Sequence, residues 1–68
     1  MSRTDVLISR LAAEGVSTDA SAICRLADTA RARGVSSVLI DVMVDDGAPI
    51  APRMRAYGRV SARVAALA

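Results

Sequence analysis

The side chains able to do chemistry in this chain are mostly charged, and their placement is lopsided. Residues 1–46 carry five Arg against seven acids, a net of −2, whereas residues 47–68 carry Arg53, Arg55, Arg59 and Arg63 with no acid, a net of +4. An acid-free arginine cluster attracts phosphates or carboxylates, so nucleic acid and acidic protein surfaces are the two classes of partner it suggests. Asp41 and Asp45 are spaced i, i+4 and share one face of any helix that holds them. Two carboxylates in that relation repel, and they invite a cation that the arginine row is best placed to supply. Asp45-Asp46-Gly47 resembles a fragment of a calcium loop but lacks the further oxygen ligands such a loop spaces along itself, so turn chemistry is the expectation. Cys24 is the single cysteine and histidine is absent. These 68 residues therefore hold no disulfide, and no metal site built on His or a Cys cluster is expected. Ile23 and Leu26 flank Cys24, which reads as a small core residue. With no nucleophile beside a base and no glycine-rich phosphate loop, neither enzymatic activity nor a cofactor is expected.

The elements that position these groups read as four helices. Thr4-Asp5 offers a cap for a first helix, in which Leu7, Ile8 and Leu11 follow helical spacing and Gly15 marks the stop. Ser17-Thr18-Asp19 offers caps for a second helix, whose Ile23, Leu26, Ala27 and Ala30 share a face and which Gly34 ends. Gly-Val-Ser recurs at 15–17 and 34–36. In each copy glycine takes the left-handed stop, valine packs back on the finished helix and serine caps the next. Ser37 to Asp46 is rich in β-branched residues and fits either a buried helix or, over residues 37–45, a strand exchanged between two chains. The helix is preferred, because a lone strand leaves its backbone groups unpaired. Gly47 to Pro52 breaks the chain, with Pro52 suited to the first turn of a last helix, Arg53 to Leu67. Met54, Tyr57, Val60, Val64 and Leu67 form its apolar stripe, and Arg55, Arg59 and Arg63 are placed on the opposite, solvated side. Gly58 either weakens that helix or admits a close neighbour.

Two stretches resemble known families. Ala30 to Val44 resembles the helix-turn-helix of lac-repressor-type regulators in its small Ala30, the turn at Gly34, Val35-Ser36 and the inward Ile40 and Met43. That resemblance implies a DNA-reading second helix, but the outward positions here are Ser37, Val38, Asp41 and Val42. Two of them are aliphatic, and Asp41 with Asp45 and Asp46 would face phosphate charge, which DNA affinity must neutralise. Arg33 also stands where that family usually has an apolar residue. The prediction is that this helix does not read DNA and is built to be buried. Residues 37–67, with an apolar helix, a Pro-containing turn and Arg53 to Val60, resemble one unit of a HEAT or armadillo-type repeat. That likeness implies an antiparallel helical hairpin with faces that bind other proteins, and such units normally stack about three in a row.

Composition adds the need for a partner. The chain is 53% apolar with a mean hydropathy of +0.37, yet 68 residues allow only a small core. Tyr57 is the only aromatic, so stacking on single-stranded bases is disfavoured. No apolar run approaches a membrane span, and charges at Asp5, Arg10 and Glu14 interrupt any signal-peptide core, so a cytosolic protein is expected. The combined reading is one all-α domain over residues 1–68, a small bundle of about four short helices with the last two as an antiparallel hairpin. Its expected function is binding protein surfaces, itself included as a homo-oligomer, in the role of a small accessory or regulatory subunit. The candidate interface is Val38, Leu39, Val42 and Met43 with Asp41 and Asp45. The alternative is a DNA-binding regulator using the last helix, with Arg53, Arg55, Arg59 and Arg63 as the nucleic-acid or acidic-partner contacts.

Overall fold

The computed structural model describes residues 2–67, which form α1 (Arg3–Ala13), α2 (Ala20–Ala32), α3 (Ser37–Val44) and α4 (Ile50–Ala66). Among the described residues there is no strand, so the exchanged-strand alternative for residues 37–45 gives way to a helix. Ile40 and Met43 explain the choice. A helix puts both on one side, where they are fully buried, and this outweighs the β-branched preference of the segment.

Local chemistry sets the helix ends. The first cap is Ser2, two residues ahead of the expected Thr4-Asp5. The Asp5 amide donates to Ser2 Oγ at 3.1 Å and the Ser2 amide to Asp5 Oδ2 at 3.3 Å, which is a reciprocal capping box. Thr4 is thereby released for another role. Asp19 caps α2 by accepting from the Ala22 amide at 2.7 Å, and Ser17 does not. Ser36 stands at the start of α3 without a side-chain hydrogen bond, so the expectation that serine caps after each Gly-Val is not met at either position.

The glycine-valine part of that repeat does hold. Gly15 and Gly34 have φ of +85° and +75°. The amides of Val16 and Val35 reach back to the carbonyls of Leu11 and Ala30 at 2.8 and 3.0 Å, closing a Schellman turn at each helix end. Val35 is buried and Val16 half-buried, so each valine also packs.

α4 starts at Ile50, three residues before the expected Arg53, with Pro52 in its first turn. Amides there have no helical partner, so proline removes nothing. The core gathers Leu7 and Leu11 of α1, Ile23, Ala27 and Ala30 of α2, Ile40 and Met43 of α3, and Ala56 and Val60 of α4. α3 and α4 pack most extensively on each other, as the helical hairpin requires. No helix among the described residues is long and apolar enough to cross a membrane.

The buried side of α4 keeps most of the expected apolar stripe but is shifted toward Arg53 and Ala56, with Met54, Tyr57 and Val64 packing at its edge. Arg53, Ala56 and Val60 are buried, Met54, Tyr57 and Val64 are half-buried, and Leu67 is 55% exposed. Arg53 shares the helical phase of Val60 (i, i+7), and its hydrogen bonds draw that phase inward. Cys24 is likewise displaced from its expected place. It is exposed, because Ile23 and Ala27 supply the buried face of α2 and the neighbouring position turns outward.

Candidate docking face on α3 and α4

Two arrangements of charge lie on α3 and α4, one buried and one open. The buried one centres on Arg53, 1% exposed. Its Nε donates to the Met43 carbonyl at 3.1 Å and its Nη2 to Thr4 Oγ1 at 3.2 Å. Its Nη1 lies 3.8 Å from Asp46 Oδ1, beyond hydrogen-bond reach. The same carboxylate oxygen accepts from the Thr4 hydroxyl at 2.7 Å and the Thr4 amide at 3.2 Å. Arg3 Nη1 donates to the Gly47 carbonyl at 2.8 Å. This network ties α1 and the α3–α4 loop to α4. It removes Arg53 from the expected surface contacts, since a guanidinium held among Thr4, Met43 and Asp46 has no free face for phosphate. Met43 is removed from the candidate interface for a parallel reason: it is fully buried in the chain's own core.

The open arrangement keeps the remaining predicted residues. Leu39 and Val42 of α3, both half-buried, line a shallow groove with Pro52, Arg55, Ala56 and Arg59 of α4. A contiguous hollow brings Leu39 against Arg59, Ala62 and Arg63. Val38 stands beside them, 69% exposed. The third helix is thus not buried all round within one chain. Ile40 and Met43 are inside, while Val38, Asp41 and Ser37 look outward. The arginine row departs from expectation too. At about 100° per residue, Arg63 falls roughly 60°, Arg59 roughly 100° and Arg55 roughly 140° from the buried centre of α4. Arg59 and Arg63 therefore edge the groove, while Arg55 stays nearer the expected outer side.

The acids occupy the other side. Around α3 the order from the α4 side is Leu39, Val42, Val38 and then Asp41, with Asp45 just past the helix end. The ion pairs among the described residues are Arg31–Asp28 and Arg53–Asp46, so neither Asp41 nor Asp45 is answered by the arginine row within one chain. Asp45 Oδ1 instead accepts from the Gly47 amide at 2.9 Å, the turn role expected of Asp45-Asp46-Gly47. The face therefore runs from arginines, across half-buried Leu39 and Val42 and exposed Val38, to carboxylates. It offers aliphatic area between two charge borders of opposite sign.

Arg53, Asp46 and Thr4 were missed as a unit in the sequence. The available signal was the shared phase of Arg53 and Val60, which places position 53 on the core side. Among the described residues no group of three or more His, Cys, Asp or Glu is arranged to hold a metal ion. The fold is a small all-α bundle whose last hairpin carries a groove edged by charge. Comparison with protein-family models, with curated proteins and with solved structures finds no match to this chain.

Proposed function

We propose that this chain is a protein-interaction module, a small non-catalytic accessory or regulatory subunit of the cytoplasm that docks protein surfaces through the α3–α4 face. The observation that carries this reading is Val38, 69% exposed, beside half-buried Leu39 and Val42 in a groove edged by Arg59 and Arg63. An apolar centre inside a charged rim matches the anatomy of protein interfaces. Duplex DNA is the second reading, favoured by the exposed arginine row alone. Against it stand the aliphatic centre of the face and the Asp41–Asp45 pair beside it, which repel phosphate.

The test is a photo-reactive phenylalanine analogue placed at position 38 in the full chain, in its own cells, with position 9 on exposed α1 as control. The expected result is a discrete protein adduct from position 38, absent from position 9 and lost when Arg59→Glu is added. Equal labelling at both positions would overturn the reading. So would salt-dependent duplex binding by the purified chain that disappears in the Arg55/Arg59/Arg63→Gln variant, which would establish the DNA reading in its place.

A further inference from the structure

We propose that the occupant of the α3–α4 face is a second copy of this chain, docked about a two-fold axis that runs along α3, so that the two α3 helices lie parallel. The inference rests on the reading of this face as a protein-docking surface, and names its partner and geometry.

The argument is charge complementarity across an apolar strip. On one side of Val38 and Val42 stand Arg59 and Arg63, and on the other stand Asp41 and Asp45. All four are exposed, and neither acid is paired with an arginine of its own chain. Two copies meeting face to face by two-fold symmetry have their axis in the plane of contact. If that axis runs along α3, left and right exchange between the copies. Each arginine row then lies over the acids of the other copy, and Val38 meets Val38 at the centre. If the axis runs across α3, the helices are antiparallel, and arginines lie over arginines and acids over acids. Like charges so opposed disfavour the second arrangement, so the charge pattern selects the first. The same pairing relieves the i, i+4 repulsion that Asp41 and Asp45 carry in the single chain.

The area requirement is consistent with the whole face taking part. A standard interface covers about 800 Å² per partner, a fair fraction of the 4141 Å² this chain exposes. α3 alone, about 12 Å long, is too short to supply that. The groove floor at Leu39 and its wall at Ala62 extend the apolar strip onto α4.

Two experiments on the full chain test the occupant and the geometry. In a Cys24→Ser background, Val38→Cys and Val42→Cys chains carrying different mass tags are mixed under mild oxidation. Both positions lie on the central strip, so parallel pairing brings each close to its own counterpart, within the roughly 7 Å that a disulfide tolerates between Cα atoms. The expected products are 38–38 and 42–42 dimers, and a predominance of 38–42 dimers would overturn the parallel geometry. In sedimentation at micromolar concentration the wild type is expected to be a dimer. Asp41→Arg and Arg59→Asp should each weaken association about tenfold or more, and combining them in one chain should restore it. Singles without effect, or a double no better than the singles, would overturn the charge pairing. A purified chain that stays monomeric while position 38 still cross-links a different protein in cells would overturn the second-copy inference and leave the docking reading standing. No adduct at position 38 together with a monomer would remove both.

Discussion

The Nη1 atom of Arg53 lies 3.8 Å from Oδ1 of Asp46, and the two side chains sit in opposite solvent environments: the arginine is 1% exposed and the aspartate 63%. The pair therefore spans the boundary of the core, with the cation inside and the anion outside. Its attraction is partly screened by water. The stability of the buried cation rests more on its donation to the Met43 carbonyl and Thr4 Oγ1, while Asp46 organises Thr4 from the solvent side.

That division of labour ranks two substitutions. Arg53→Ala removes both hydrogen bonds, leaves a cavity and frees the Met43 carbonyl from its partner, at an expected cost of about 2–4 kcal/mol. Asp46→Ala should cost less, about 1–2 kcal/mol, because the arginine keeps both of its hydrogen-bond acceptors, the Met43 carbonyl and Thr4 Oγ1. Urea denaturation of each variant checks the order, and an Asp46 variant less stable than the Arg53 variant would contradict it.

Thr4 couples to both groups through one hydroxyl, which donates to Asp46 and accepts from Arg53. Thr4→Val should cost about 1–2 kcal/mol. In a double-mutant cycle with Asp46→Ala the effects should not add, since the second change removes a partner already lost in the first. An interaction energy above about 0.5 kcal/mol is expected.

Glycines at turn and helix positions should respond with opposite signs. Gly34 has φ of +75°, and nothing lies within 4 Å of the point where an alanine methyl would stand. Gly34→Ala therefore suffers only from backbone conformation and should lose about 1–2 kcal/mol. Gly58 lies inside α4, also with open space around it, which decides between its two expected roles: it weakens the helix and admits no close neighbour. Gly58→Ala should therefore raise stability by about 0.5–1 kcal/mol. Thermal melts of the two variants give the comparison directly.

Val38→Asp separates folding from docking. Val38 is 69% exposed, so a carboxylate there should leave the stability of the single chain within about 0.5 kcal/mol of wild type. Placed at the centre of an apolar contact, the same carboxylate should abolish association. Circular dichroism and sedimentation on one sample read both quantities, and a variant that unfolds would show that this side chain belongs to the core.

Removing the arginine row tests the remaining contrast. Arg55, Arg59 and Arg63 are exposed, so replacing all three with Gln should preserve the helices. Loss of self-association without any duplex binding in the wild type is the expected outcome. A salt slope for duplex binding that drops by about three in the variant would mark phosphate contacts.

Helix number, the two glycine stops and the hairpin of α3 and α4 follow from local sequence. Gly15 and Gly34 need a backbone region closed to other residues, and the spacing of Ile23, Ala27 and Ala30 or of Ile40 and Met43 repeats with the helical turn. These are short-range effects, readable without knowing what lies across the core. The aliphatic residues of α3 and the arginines of α4 were also legible as groups, because charge and apolar character are properties of composition, but which of them face solvent or edge a groove was not. Tertiary structure decided the rest. Ser2 caps α1 through its local box with Asp5, but the hold of Asp46 on the freed Thr4, 42 residues away in sequence, is a tertiary contact. Arg53 went inside because a fully buried guanidinium needs acceptors, and the Met43 carbonyl and Thr4 hydroxyl come from other elements. With that phase of α4 inward, Arg59 and Arg63 stand at the rim of the groove beside Leu39 and not on the expected far side. Periodicity within one helix ranks its faces by polarity, but which face turns inward depends on the hydrogen-bond partners that neighbouring helices bring.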